Sequence, residues 1–552
     1  MKFTKWVMFA ALLLSMFFLS EKSFSDQTFL VKLDGKKVGD EIFSYRTDKK
    51  DTNVVIFSSK TKISMEGMGV SIEQEEKLNK RNYAFSEYQL KADMAGQYQE
   101  MEAKVEGDSI KASAFINMQE YEKKVPYRES DVVLGLPTLS VYFYQILLNR
   151  YDFNKKGTQQ FHAYLPDKLS EGPLKVTLKE KYPAKLKEEG FQVDHLEAVL
   201  VNLVINIWAK SDNHQLLKVD IPFMKFESSL PELSIIGKEE VKTPDIISAN
   251  NFVEKEITFK SGEFEISGTL SLPKDIKGKF PAVILVQGSG PQDRDETVGP
   301  NKPFKDIAHA LSNSGFAVLR YDKRTYTYKR PKLDLTNITL KEEVIDDAIW
   351  GIKFLREQAE VIPQKIFVLG HSLGAECTPL IALEDKNLAG VIMLAPSARP
   401  ADSLILEQIE FQAKVAGPSA SQEATKQLEE LKKGFAQIRN KTFPENQMLF
   451  FTSGKYWYYW LSYSAADTIK KIDCPLLLLQ GEKDCQVSMK DFEIWNGVLK
   501  GRGNSTLKSF ANLNHLFMYV EGKSTGEEYQ RAGHIDGEVL KALIEWIKKY
   551  SM

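Results

Sequence analysis

Residues 365–374 read Lys-Ile-Phe-Val-Leu-Gly-His-Ser-Leu-Gly, an apolar run that ends in Gly370-His371-Ser372-Leu373-Gly374 and leads into a helix-forming stretch, Gly374–Leu383. A G-x-S-x-G string recurs by chance in many chains, but between a strand and a helix it becomes a nucleophile elbow. The spacing has a steric basis. The turn forces Ser372 into a strained backbone conformation, and glycines two residues to either side remove the clashes that side chains would make. The Ser372 hydroxyl then projects from the carboxyl edge of the sheet, and the Leu373 N–H, at the helix N-terminus, is placed to donate to a developing oxyanion.

A serine hydroxyl is a poor nucleophile and needs a base, which in turn needs an orienting acid. In α/β-hydrolases the three follow the chain order serine, acid, histidine. Only His515 and His534 follow Ser372. His515 lies in Asn512-Leu513-Asn514-His515-Leu516-Phe517, just after the strand Thr506–Phe510, whereas His534 sits in a polar stretch before the terminal helix, where a surface role is expected. The preceding strand, Pro475–Gln480, runs into Gly481-Glu482-Lys483-Asp484 and nominates Asp484 as the acid, with Glu482 second. Val286-Gln287-Gly288-Ser289-Gly290-Pro291 follows the early strand Ala282–Val286, so a backbone N–H at Gly288 or Ser289 is the expected second oxyanion donor. No phosphate-loop string occurs there.

Further out, apolar strands at Ala282–Val286, Ala317–Arg320, Lys365–Leu369, Gly390–Leu394, Pro475–Gln480 and Thr506–Phe510 alternate with helical patterns at Pro303–Ser312, Lys341–Gln358 and Gly374–Leu383, and Glu538–Lys548 closes the chain. Such a rhythm predicts an α/β-hydrolase fold over 250–552, a mostly parallel sheet with helices on both faces. Leu404–Val415 and Glu423–Phe435 are amphipathic and Tyr456–Trp460 is aromatic, which predicts a helical lid insertion around 398–470.

Before residue 235 the period is two. Phe29, Val31 and Leu33 alternate with polar neighbours ahead of Asp34-Gly35, and Leu174, Val176, Leu178 and Leu217, Val219, Ile221 repeat the pattern. This predicts an antiparallel β-rich N-terminal domain over 26–235, a curved sheet or sandwich interrupted by one helix at Thr138–Asn149 with Leu139, Phe143 and Leu147 on one face. His162, His195 and His214 are scattered through it and read as surface or structural. A linker is expected at 231–252.

Residues 1–25 combine Lys2 and Lys5, a 14-residue apolar run from Trp6 to Leu19, and Ser23 and Ser25 ahead of Asp26. This is a secretory signal pattern, because a bilayer span takes about 20 apolar residues. The expected mature protein is therefore exported, periplasmic or secreted, with no membrane span left after cleavage. The formal charge is −2, and loss of Lys2, Lys5, Lys22 and Glu21 takes it to −4, so no global basic field invites nucleic acid. Three cysteines, Cys377, Cys474 and Cys485, are too few for a disulfide framework and read as free thiols.

Five blocks, QGSGPQDRDE at 287–296, AVLRYDKR at 317–324, GHSLG at 370–374, GEKD at 481–484 and LNHLF at 513–517, are similar in order and spacing to the EstD-type two-domain bacterial carboxylesterases, whose hydrolase domain is of the serine aminopeptidase-like kind. The resemblance implies a carboxylesterase acting on small acyl esters with Ser372, Asp484 and His515 as its triad, and a non-catalytic N-terminal domain. One departure is Thr325-Tyr326-Thr327-Tyr328, where the family has a glycine-containing turn. Asp293, Arg294 and Asp295 are expected to brace the oxyanion loop by ion pairing. The chemistry calls for no metal and no organic cofactor. A peptidase using the same triad, and a lipid- or glycan-binding protein with a vestigial hydrolase domain, are the other readings that the sequence admits.

Overall fold

A computed structural model describes residues 24–551 apart from 34, 66–67, 95–96, 117–118, 129–130, 134–139, 166–169, 201–202, 237–243, 275–277, 329–331 and 417–420. The signal-like segment up to residue 23 lies outside the described residues. The chain divides between residues 239 and 240 into two compact units.

In the second unit the described residues form an eight-stranded sheet. Its strands are β1 Phe252–Ser261, β2 Phe264–Pro273, β3 Phe280–Val286, β4 Ala317–Tyr321, β5 Val361–His371, β6 Gly390–Leu394, β7 Leu476–Gly481 and β8 Ser505–Phe510. Their spatial order is β1-β2-β4-β3-β5-β6-β7-β8, antiparallel at β1-β2 and β2-β4 and parallel from β4 onward. β6 and β7 are buried at every residue, because helices cover both faces of a parallel sheet. Alternation divides their side chains between two cores: Leu476 and Leu478 face one layer, Leu477 and Leu479 the other.

Helices α1 Pro303–Asn313, α2 Asp347–Glu357, α3 Leu373–Glu384, α4 Ala401–Ala416, α5 Ser421–Arg439, α6 Gly454–Leu461, α7 Met489–Leu499 and α8 Gly537–Ser551 complete the unit. The helix expected from Lys341 is not uniform: Lys341–Asp346 winds in the wider π form before α2 begins. It holds Glu343 and Val344 buried at the edge of the site described below. Thr325-Tyr326-Thr327-Tyr328 does depart from a glycine turn, with Arg324–Thr327 forming one short helical turn.

The first unit is a single continuous sheet and not a two-sheet sandwich. Among the described residues it has sixteen strands: fifteen run from Gln119–Pro126 at one end, through the Phe24–Leu33 and Phe226–Ser229 pair in the middle, to Asp131–Val133 at the other, and Leu233–Ile235 joins off that path. Pairing is antiparallel except where Asp131–Val133 joins Thr158–Leu165. The helix is Tyr142–Arg150, later than its pattern suggested, and Leu139 lies outside the described residues. It presents no single apolar face: every residue from Tyr142 to Leu148 is buried. Its first turn is capped by a buried carboxylate, Glu41, which accepts Ser140 Oγ at 2.6 Å and the Val141 N–H at 2.8 Å. His195 stacks on Trp208 with ring centroids 4.8 Å apart and His214 on Phe153 at 3.6 Å, both structural roles.

The expected linker is partly tied down. Leu233–Ile235 pairs with Ser170–Leu186 inside the first unit. The short helix Asp245–Ser248 belongs to the second, where Asn313 Nδ2 donates to the Ile246 carbonyl at 3.0 Å.

Candidate active site

Ser372 stands between β5 and α3 with φ 54° and ψ −119°, a conformation that costs an L-residue energy and persists only where its surroundings over-determine it. Two close approaches do so. A Cβ on Gly374 would lie 2.1 Å from the Val286 carbonyl oxygen, and one on Gly370 would lie 2.4 Å from the Gly374 carbonyl. The Ser372 N–H donates to the Leu394 carbonyl at 2.9 Å, which fastens the elbow to β6. The serine is half-buried, and Leu373, which opens α3, is buried.

His515 and Asp484 meet on this edge of the sheet. Asp484 follows β7 and His515 follows β8, and His515 Nδ1 lies 2.6 Å from Asp484 Oδ2. Three further groups hold the carboxylate: Gln480 Nε2 donates to Oδ2 at 3.0 Å, and the Gln486 and Val487 N–H groups donate to Oδ1 at 2.7 and 2.9 Å. Both residues are buried, so neither partner exchanges easily with water. Glu482 is turned elsewhere and accepts Ser509 Oγ. His534 is not a free surface residue: its Nδ1 lies 3.0 Å from Asp306 Oδ1, away from this cluster.

The loop after β3 is held from above and below. The Gly288 N–H donates to Glu296 Oε1 at 2.6 Å, and buried Lys323 donates its Nζ to the Gly288 carbonyl at 2.7 Å and the Gly290 carbonyl at 3.2 Å. The Gly288 N–H, one of the two donors nominated for the oxyanion, is thus already engaged. A Cβ there would lie 3.2 Å from Ser372 Cβ, tight enough to press on the nucleophile. The neighbouring charges divide their work. Arg294 pairs with Asp322 and Glu256, and Asp295 with Arg320 and Lys302. Asp293 instead accepts the Thr297 N–H and hydroxyl, and pairs with no cation among the described residues.

The serine aminopeptidase S33 family matches residues 301–521. Esterase EstD of Thermotoga maritima is 41% identical over 312 residues, which span 56% of this chain and 71% of EstD. The chain belongs to the EstD family of esterases. Among solved structures, Est1E from Butyrivibrio proteoclasticus aligns with 53% of this chain and 98% of its own at 16% identity and a TM-score of 0.37. An esterase of Pyrococcus furiosus aligns with 56% and 95% at 18% identity, also with a TM-score of 0.37.

In this member of the EstD family a cavity of about 450 Å³ opens beside Ser289 and Leu373. Its walls are mainly apolar, with Leu333, Ile338 and Phe451 among them, and Tyr328, from the loop that departs from the family pattern, completes one side. One carboxylate reaches the cavity, Glu343, and it is committed: Tyr456 Oη and Thr325 Oγ1 donate to it at 2.6 and 2.8 Å, and Lys323 Nζ lies 3.7 Å away. The aromatic run at 456–460 mostly packs inward. Trp457 is fully buried, Trp457 and Trp460 stack with centroids 5.3 Å apart, and Tyr456 alone of the run reaches the cavity.

Two carboxylates that the sequence did not flag also border the site. Glu376, one turn beyond Ser372, is buried and accepts Ser397 Oγ at 2.7 Å and Trp460 Nε1 at 2.8 Å; burial raises its pKa to about 7. Glu296 lies 3.0 Å by Oε2 from His371 Nδ1, an ion pair off the axis of an aligned hydrogen bond. Glu296 had a detectable signal, the end of the QGSGPQDRDE block, whereas a lone glutamate in a helix such as Glu376 offers none.

Proposed function

We propose that the protein hydrolyses carboxylic esters through a serine acyl-enzyme. Ser372 attacks the ester carbonyl, His515 accepts the serine proton and returns it to the leaving alcohol, and Asp484 orients His515 and balances its charge. Water then repeats the sequence on the acyl-enzyme. With the Gly288 N–H occupied by Glu296, the oxyanion falls to the N–H groups of Ser289 and Leu373. The observation that carries the reading is the buried His515–Asp484 contact of 2.6 Å at the same sheet edge as a serine held at φ 54°.

The compensated state of Glu343 favours esters over peptides. A carboxylate already bonded by Tyr456 and Thr325 beside Lys323 is a poor anchor for a substrate ammonium group. Hydrolysis of p-nitrophenyl esters and aminoacyl p-nitroanilides by the full chain and its Ser372→Ala variant tests this. Ester turnover lost in the variant supports the reading, and turnover of the anilides alone would replace it with the peptidase. The helices α4–α6 form a cover over the acyl site, and the N-terminal β unit takes no part in the chemistry. The protein is exported, periplasmic or secreted, after cleavage before Asp26, which N-terminal sequencing of protein recovered from the expressing cell tests.

A further inference from the structure

Three segments far apart in the sequence converge behind Ser372 through one histidine. His371 directly precedes the nucleophile and is buried. Its Nε2 lies 2.9 Å from the carbonyl oxygen of His515, and its Nδ1 lies 3.0 Å from Glu296 Oε2. The other oxygen of Glu296 accepts the Gly288 N–H at 2.6 Å. The line Gly288–Glu296–His371–His515 therefore runs from the oxyanion loop, past the elbow, to the backbone of the residue assigned as general base. The proposed mechanism uses neither Glu296 nor His371.

Both ring nitrogens of His371 lie beside oxygen acceptors, so the doubly protonated ring suits both, by a hydrogen bond at Nε2 and by charge at Nδ1. Burial opposes that form. The Glu296 carboxylate, the His515 carbonyl and the more distant Asp484 outweigh it and hold the His371 pKa above the ordinary histidine value. The remaining groups packed around the ring are His515, with ring centroids 4.6 Å apart, and Phe517; Lys323 lies on the far side of Gly288. The charge arrangement matters because Glu296 is buried beside the place where an oxyanion would form. An unneutralised carboxylate there would oppose the developing negative charge.

Resting on the serine-esterase reading, we infer that Glu296 and His371 form a second carboxylate–histidine pair that positions the site, with a protonated His371 tying the oxyanion loop to the backbone of His515 and cancelling the charge of Glu296. Neither residue touches the reacting atoms; both are positioning residues. Loss of the His371 proton removes one of its two contacts and exposes the oxyanion to Glu296, so activity should fall on the alkaline side as His371 titrates.

The test is Glu296→Gln in the full chain, compared with wild type and Ser372→Ala. An amide can accept the Gly288 N–H through its oxygen and donate to a neutral His371 through its nitrogen, so the frame is kept and the charges are lost. His371→Asn, which leaves Glu296 charged and uncompensated, should lower kcat for p-nitrophenyl butyrate about 100-fold with KM changed less than about threefold, and Glu296→Gln added to it should recover most of that loss. The alkaline fall expected of wild type should be absent from Glu296→Gln, whereas a merely structural role would leave the shape of the pH profile unchanged.

A p-nitrophenyl phosphonate that labels the serine separates the two levels of argument. If wild type is not labelled, or Ser372→Ala is, the serine-esterase reading fails. If labelling depends on Ser372 but Glu296→Gln keeps the alkaline fall of wild type, or His371→Asn reacts within twofold of wild type, this inference is overturned and the esterase reading stands. Should the variant fail to fold, the imidazole ¹⁵N signals of the wild-type histidines decide. The His371 signal, assigned by its absence from His371→Asn, should titrate above the ordinary histidine value, and a ring that titrates at or below that value in active enzyme would overturn the proposal.

Discussion

Replacing Glu376 with glutamine should stabilise the hydrolase unit, and by an amount that depends on pH. The carboxyl group is buried and receives the Trp460 N–H on one oxygen and the Ser397 hydroxyl on the other. The indole can only donate, so in the protonated acid the carbonyl oxygen faces Trp460 and the acid O–H faces Ser397 Oγ, which can accept. Burial, with a smaller contribution from Asp491, carries its pKa from 4.5 to about 7. Below about pH 4.5 the acid is neutral in the folded and unfolded chain alike, and it adds no pH dependence. Between 4.5 and 7 the unfolded chain releases the proton while the folded chain retains it, so stability falls as pH rises. Above 7 both states are ionised and the loss is complete, at up to about 3 kcal/mol. Glutamine reproduces the neutral acid's two contacts at every pH. Urea unfolding of wild type and Glu376→Gln followed by tryptophan fluorescence should therefore give nearly equal midpoints at pH 4.5 and a clearly higher midpoint for the variant at pH 8. A variant less stable than wild type at pH 8, or a difference that does not change with pH, would refute the argument.

Gly374→Ala places a methyl group 2.1 Å from the Val286 carbonyl and must displace the elbow; ester turnover should fall by about 100-fold or more in protein whose circular dichroism is unchanged. Arg324→Met strips the partner from fully buried Asp347, to which Arg324 Nε donates at 3.0 Å, and thermal unfolding should register a loss of about 3–5 kcal/mol that Arg324→Met with Asp347→Leu largely restores. Burial also raises Glu41 to about 7, so the first unit loses stability as pH rises from 4.5 towards 7; the protection of Tyr142–Arg150 against hydrogen exchange, after correction for intrinsic rates, should fall over that window in wild type and fall less in Glu41→Gln, where Glu76 still titrates.

The hydrolase unit was legible because its chemistry is tied to local pattern. Asp484 sits past the carboxyl end of a wholly buried strand and His515 past that of an alternating edge strand, and strand ends are what apolar runs and alternation reveal. The contacts between neighbouring segments were less so. That the Gly288 N–H turns to Glu296 follows from how the loop 287–296 closes on itself, and the meeting of Glu296 with His371 requires β3 and β5 to lie side by side. The π turn at Lys341–Asp346 left no mark, since its residues carry an ordinary helical pattern. In the first unit, period-two alternation identifies strands with one wet face but does not say how many join one sheet. Nor does it foresee that the helix Tyr142–Arg150, whose polar Gln145 suggests an exposed side, is enclosed; Gln145 is buried and accepts the Leu216 N–H.

The sixteen-strand sheet has an outer strand, Gln119–Pro126, with a row of backbone groups that no neighbour among the described residues of the sheet uses. A sheet of this length is a ready template for growth, since any second extended chain could continue it. The residues chosen for that margin are Glu120, Glu122, Lys123 and Lys124, all exposed. An incoming strand would have to strip water from carboxylates and ammonium groups along half its length before the backbone bonds formed. The charged margin thus marks where the sheet stops, and it gives a protein with so long a sheet a guard against assembling edge to edge into fibres.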